Sequence, residues 1–176
     1  GNVIVMKPSR VTLQSGIEIE KAFTESGIPD GIFKTVIGSV EYANHLIDSD
    51  VNAVTFTGST DAGAKVGERS AKNLKKCVLE LGGSDPFIVL DDAIIEKAAE
   101  GAVKGRFINC GQSCVASKRF FVGKNIAKDF IELFIKKASQ LKVGDPTLIE
   151  TDIGPLSSKG GLETISGIVE DAKKKG

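Results

Sequence analysis

Apolar runs and helical patterns alternate along nearly the whole chain. Val3 to Met6 is a short apolar run of the kind a buried strand makes, and Leu13 to Phe23 carries apolar residues at helical spacing, closed by Gly27 and Pro29. Phe33 to Ile37 predicts the next strand, ended by Gly38, and Val40 to Ile47 a short helix. Val51 to Phe56 predicts a third strand that stops at Gly58, where Ser59 and Thr60 can cap a helix running to about Leu74. Two closely spaced strands follow, Cys77 to Leu81 and Phe87 to Leu90, separated by Gly82-Gly83-Ser84-Asp85-Pro86. Asp91-Asp92 opens a helix through about Phe107, and the loop Asn109-Cys110-Gly111-Gln112-Ser113-Cys114 leads to a strand at Arg119 to Val122. Ile126 to Leu141 and Leu162 to Lys175 complete the pattern as helices, with Gly144-Asp145-Pro146 as a loop between them. Strands alternating with helices predict an α/β fold of parallel sheet with helices on its faces, and the Gly82-Gly83 pair is the expected boundary between two domains, 1–82 and 83–176.

Composition narrows the function classes. The 176 residues carry 23 basic and 23 acidic side chains, so a neutral chain argues against an electrostatic grip on nucleic acid. No apolar run approaches bilayer length and no basic-then-apolar leader is present, which predicts neither a membrane span nor a secretion signal. Three cysteines make no complete disulfide framework and suit a reducing, cytoplasmic setting. Lys173-Lys174-Lys175 reads as a solvated helix end. The chain opens Gly1-Asn2-Val3-Ile4-Val5, which suggests a start inside a strand of something larger.

Four places could carry chemistry. Glu80 sits in the apolar run Cys77-Val78-Leu79-Glu80-Leu81; with both faces of the sheet buried its carboxylate would be desolvated and pushed toward the range a general base needs. The alternative is an edge strand with Glu80 facing water. Cys114 follows Gly111-Gln112-Ser113, where backbone amides can point at a bound oxygen, and a thiol there is a nucleophile once a base or cation activates it. The alternative is a small buried apolar residue. A cysteine-protease pairing would need His45, the one histidine, which lies in a predicted helix far upstream; Cys110, Cys114 and one distant His fall short of a zinc site. Phe56-Thr57-Gly58-Ser59-Thr60-Asp61-Ala62-Gly63 is a strand entering a helix through glycine, a turn that lets backbone approach a phosphate, or one in which glycine merely ends a strand. Lys7-Pro8-Ser9 follows the first strand, at the sheet end where cofactors sit in open α/β folds, or is a plain surface loop.

Taken together these segments resemble the aldehyde dehydrogenase superfamily over essentially the whole chain, most of all its succinate-semialdehyde branch. The resemblance rests on Gly1-Asn2 through Lys7-Pro8-Ser9, on Phe56-Thr57-Gly58-Ser59, on Glu80-Leu81-Gly82-Gly83, and on Gly111-Gln112-Ser113-Cys114, all in the family's order. Leu79 to Phe87 and Ala116-Ser117-Lys118-Arg119-Phe120 carry the branch likeness. It implies part of a Rossmann-like cofactor domain in 1–82, joined to part of an α/β catalytic domain in 83–176 that bears the nucleophilic cysteine. It also implies oxidation of an aldehyde to a carboxylic acid with NADP or NAD. Cys114 would attack the aldehyde carbon to give a thiohemiacetal, hydride would leave for the nicotinamide, and Glu80 would activate water against the resulting thioester. The Cys114 N–H would be one oxyanion donor. Gly58 and Ser59 would meet the pyrophosphate, with Gly63 in the same motif; Gly38 would face the adenine, the Leu81 backbone the carboxamide, and Lys7, next to Ser9, the adenosine ribose.

The departures from the family pattern are informative. Where NAD-preferring members hold a Glu three residues after that Lys, this chain has Arg10. Unit charges ~4 Å apart interact by ~4 kcal/mol at an effective dielectric of ~20, so Arg10 would attract a 2′-phosphate that a Glu would repel, which favours NADP. Some semialdehyde enzymes hold the substrate carboxylate with an Arg six residues before the nucleophile; here Ile108 stands there and Arg106 lies two residues earlier, which keeps glyceraldehyde open as an alternative substrate. The family's oxyanion Asn and its Glu on the nicotinamide ribose fall outside this sequence, as do its oligomerising strands. A dimer or tetramer is what the resemblance implies for the full-length enzyme. The rival from another class is a piece without turnover, serving as a nucleotide-binding or assembly module.

Overall fold

The computed structural model describes residues 1–176, which form two compact units, Gly1–Gly82 and Gly83–Gly176. The first contains β1 (Ile4–Met6), α1 (Leu13–Glu25), β2 (Phe33–Thr35), α2 (Val40–Asp48), β3 (Ala53–Thr57), α3 (Thr60–Lys72) and β4 (Lys76–Glu80). The second contains β5 (Asp85–Val89), α4 (Ile95–Phe107), a 3-10 turn at Ile108–Gly111, β6 (Ser117–Val122), α5 (Ala127–Ala138) and α6 (Lys159–Lys175). The α/β reading holds, and every predicted strand and helix exists. The sheet is divided, however, into three parallel pairs, β1 with β2, β3 with β4 and β5 with β6, in place of one continuous ladder. Each pair is a β-α-β unit whose crossover helix is α1, α3 or α4, the connection that parallel strands require.

In the first unit, Gly16 of α1 lies so close to Pro8 and Thr35 that a Cβ would meet the Pro8 ring at 2.8 Å, which brings the helix down onto β2. Phe23 and Phe33 stack at 4.5 Å beside it. Helices α2 and α3 are joined by the Arg69 guanidinium, which donates through Nε and Nη2 to the two Asp48 oxygens at 2.8 and 2.5 Å. That hydrogen bond holds the Asp48 carboxyl below its ordinary value, against the desolvation that opposes it. The resulting stabilisation is present at neutral pH and is lost as acidification protonates Asp48.

The second unit has the larger apolar core, in which Val89, Ala99, Ala102 and Phe130 are buried together. Phe120 reaches Phe87, Phe130 and Phe134 with ring centroids 5.3–6.4 Å apart, so one aromatic cluster ties β5 and β6 to α5. Ala99 and Ala102 are small because α4 and α5 pack closely there. Phe130→Ala should therefore cost roughly 3–5 kcal/mol, read as a lower urea midpoint for the unfolding of this unit; a loss below about 1 kcal/mol would contradict Phe130 as its centre.

Helix α4 starts at Ile95, later than Asp91-Asp92 suggests, because the Ala93 N–H closes a turn on the Leu90 carbonyl and the Asp91 carboxylate accepts from Asn125 instead of capping the helix. No helix is long and apolar enough to cross a membrane.

Candidate active site and cofactor-binding elements

In the first unit the sequence-predicted residues gather where strands end. Lys7 follows β1 directly, half-buried, and its Nζ donates to the Pro8 carbonyl at 3.0 Å. Ser9 and Arg10 are exposed beyond it; the Ser9 carbonyl accepts from Thr12 N–H at 2.9 Å, and Arg10 makes no ion pair within the chain. Gly38 ends the segment after β2, where a Cβ would run into the Tyr42 ring at 2.5 Å.

The turn at Gly58 is fixed by β4: the Gly58 N–H donates to the Glu80 carbonyl at 3.0 Å, continuing the register in which Thr57 faces Glu80. A Cβ at Gly58 would meet the tip of the Phe56 ring, so the glycine lets that ring lie over the turn. Ser59 then caps α3, its Oγ accepting from the Ala62 N–H at 3.3 Å. The first amides of α3 have no carbonyl of their own helix to bond, and with the helix dipole they favour an anion at this end, although Asp61 in the first turn already supplies a negative charge. Gly63 is buried, and the place of its missing Cβ is taken by the Leu81 side chain, which lets α3 lie close to the end of β4. A glycine turn and a helix start at the strand ends fit a dinucleotide phosphate, and a lysine sits at the end of another strand of the same unit.

Glu80 departs from one expectation. Its carboxylate is exposed, not desolvated, because β4 pairs with β3 alone and Glu80 is its last residue. What the fold supplies is its position at the end of β4, one backbone hydrogen bond from the Gly58 turn.

In the second unit the Cys114 loop follows α4. Asn109, Cys110 and Gly111 take consecutive left-handed conformations, with φ of 51°, 56° and 77°. For two non-glycine residues this is a strained backbone, and such strain collects at functional sites. Gly111 turns against Arg106, whose Nη2 would lie 3.3 Å from a Cβ placed there, and Arg106 Nη1 is buried with no hydrogen-bond partner. Gln112 anchors the loop, its Oε1 accepting from the Ser157 N–H at 2.9 Å. Cys114 is exposed, which excludes its reading as a core filler; Cys110 and Cys77 are half-buried, and all three thiols are free.

Sequence reasoning missed Lys118. The β5–β6 register shifts between Asp85, opposite Ser117, and Pro86, opposite Arg119, leaving Lys118 as an extra residue at a bulge. Pro86 has no N–H with which to continue the ladder. The Lys118 Nζ donates to the carbonyls of Ser113 at 3.2 Å, Cys114 at 2.9 Å and Ala116 at 3.3 Å. The one signal for it in the sequence was the proline opposite, which marks a break in pairing.

Comparison with known proteins covers the whole chain. The family model described as aldehyde dehydrogenase family matches residues 1–176. The chain is 42% identical over 179 residues to succinate-semialdehyde dehydrogenase [NADP(+)] 1 of Mycobacterium tuberculosis, covering 100% of this chain and 39% of that protein. It is 40% identical over 177 residues to 4-trimethylaminobutyraldehyde dehydrogenase of Pongo abelii, covering 100% of this chain and 36% of that one. Among solved structures, PnpE in complex with nicotinamide adenine dinucleotide superposes with a TM-score of 0.95 at 40% identity, over 100% of this chain and 37% of the other. The chain thus spans less than two fifths of the length of these relatives.

Proposed function

Because the chain belongs to the aldehyde dehydrogenase family, we propose that it supplies the nucleophile, the water-activating carboxylate and most of the dinucleotide-binding elements of an NADP-dependent aldehyde dehydrogenase whose favoured substrate is succinate semialdehyde. The observation that carries this reading is the exposed Cys114 on a strained, doubly anchored loop, in a chain that matches the family model from end to end. Cofactor binding is assigned to 1–82, which also carries Glu80, and the nucleophilic cysteine to the catalytic part in 83–176.

The cofactor supplies a hydride acceptor when bound. Around it, Lys7, next to Ser9, would hold the adenosine ribose, Gly58 and Ser59 the pyrophosphate, Gly38 the adenine side and the Leu81 backbone the carboxamide, while Gly63 keeps α3 close to Leu81. Cys114 Sγ, as the thiolate with its proton given up to solvent, attacks the aldehyde carbon, forming the C–S bond as the carbonyl π pair moves onto oxygen, and the Cys114 N–H donates to that oxyanion. After oxidation a thioester joins substrate to Cys114. Glu80 takes a proton from water, the water oxygen attacks the thioester carbon, and Cys114 leaves as thiolate with release of the carboxylic acid. The carboxylate is exposed within this chain, so any desolvation it needs must come from the complete site. The same reading carries a cytoplasmic homo-oligomer, which suits three free thiols and exposed apolar side chains such as Ile88 and Ile135.

Relatives differ in both cofactor and substrate charge: one is named for NADP and an anionic aldehyde, another for a trimethylammonium aldehyde, and PnpE was solved with the cofactor lacking a 2′-phosphate. Arg10, exposed and without an ion pair in the chain, favours NADP. A kinetic panel of succinate semialdehyde, glyceraldehyde and 4-trimethylaminobutyraldehyde with each cofactor tests the assignment on the complete enzyme. Succinate semialdehyde with NADP should give the highest kcat/KM. Arg10→Glu should move the NADP/NAD ratio of kcat/KM toward NAD by about tenfold or more, an electrostatic difference of about 1.4 kcal/mol; an unchanged ratio would mean that Arg10 does not read the 2′-phosphate.

A further inference from the structure

We infer that Lys118 is a positioning residue of the oxyanion hole, acting through the peptide that joins Ser113 to Cys114. The inference rests on the proposed dehydrogenase reaction and adds to it a residue with no part in the chemistry described above.

The argument begins with the bulge. Pro86 cannot donate to the ladder, the register slips, and Lys118 is the residue left over on β6. Bulges re-aim side chains next to active sites, and here the ammonium is turned back on its own loop, where it donates to three carbonyls of Ser113, Cys114 and Ala116 within 2.9–3.3 Å. An ammonium carries three N–H donors, and three acceptors satisfy it.

The Ser113 carbonyl matters most. It belongs to the same peptide plane as the Cys114 N–H, and the chain contains no cis peptide bonds. In a trans peptide the N–H points opposite to the C=O. Holding the Ser113 oxygen on Lys118 therefore aims the Cys114 N–H away from the lysine, and a cation on that oxygen polarises the amide into a stronger donor. The Ala116 N–H also donates to the Ser113 oxygen, at 3.2 Å, so the plane is pinned twice. The Gly83 backbone lies alongside the Cys114 carbonyl, a Cβ there falling 3.4 Å from that oxygen. An amide held and polarised before substrate arrives needs no reorganisation when negative charge develops on the thiohemiacetal oxygen.

The test uses the complete enzyme and separates reactions that build an oxyanion from one that does not. Acylation of Cys114 by p-nitrophenyl acetate passes through a tetrahedral oxyanion, whereas alkylation by iodoacetamide displaces iodide at carbon without one. Lys118→Met should lower kcat/KM for the aldehyde and the rate of ester acylation by about tenfold or more, short of the ~10²–10³ that removal of a whole oxyanion donor costs. Alkylation of Cys114 should stay within about threefold of wild type, and Lys118→Arg, whose cation can still reach these carbonyls, should recover much of the acylation rate. Unchanged acylation in Lys118→Met would overturn the inference, and so would a parallel fall in alkylation or the absence of recovery in Lys118→Arg, since a collapsed loop harms both reactions. The dehydrogenase reading fails separately, if wild-type enzyme acylates with the ester yet forms no NADPH or NADH with any aldehyde.

Discussion

Cys114→Ser is expected to lower aldehyde-dependent NADPH formation by on the order of 10⁴-fold or more, while Cys110→Ser leaves most of it intact. A serine hydroxyl has the shape of the thiol but is a far weaker nucleophile at neutral pH, and its ester would not reproduce the thioester's ease of hydrolysis. The two cysteines lie on one loop, so a change in loop conformation would affect both variants alike; only a role as nucleophile separates them. Cys110 is half-buried at φ 56°, and serine asks nothing new of that backbone, whereas Cys114 is exposed. Steady-state rates of the two variants, with binding of NADP measured by calorimetry as a control for folding, check the expectation. Equal losses would remove Cys114 as the sole nucleophile.

Glu80→Gln is the second large effect. The amide keeps the side chain's size and its place at the end of β4, and the hydrogen bond from the Gly58 N–H survives because it goes to the backbone carbonyl of residue 80. Cofactor binding at the Gly58 turn should therefore be unchanged. What is lost is a group able to take a proton from water. Rapid mixing with aldehyde and NADP should give a burst of one NADPH per active site, followed by turnover slowed by about 10²–10⁴-fold, the usual contribution of a general base. A variant that shows no burst would place Glu80 before hydride transfer, in activation of the thiol.

These expectations rest unevenly on sequence and structure. The strand and helix blocks were legible because apolar runs such as Val51 to Phe56 and periodic stretches such as Ile126 to Leu141 carry their secondary structure in their spacing. The turn at Gly58 and the loop at Cys114 were legible as motifs in order. The environment of Glu80 was not, because an apolar strand reads the same whether it is paired on both sides or, like β4, on one. Nor does composition foretell the left-handed run at Asn109 and Cys110, since neither a β-hairpin nor a glycine pair marks it. Lys118 is the clearest case: its three carbonyl partners depend on a register shift caused by Pro86, 32 positions earlier in the sequence (118 − 86), and no local pattern in the chain records that pairing.

The central claim, that Cys114 carries the substrate as a thioester awaiting water activated by Glu80, is most directly tested by mass spectrometry of the complete Glu80→Gln enzyme, quenched in acid after reaction with succinate semialdehyde and NADP. The account predicts one succinyl group per chain, on the peptide that contains Cys114 and on that sulfur. A succinyl group on Cys110 or Cys77, or NADPH formed in the burst with no acyl group on any cysteine, would contradict it.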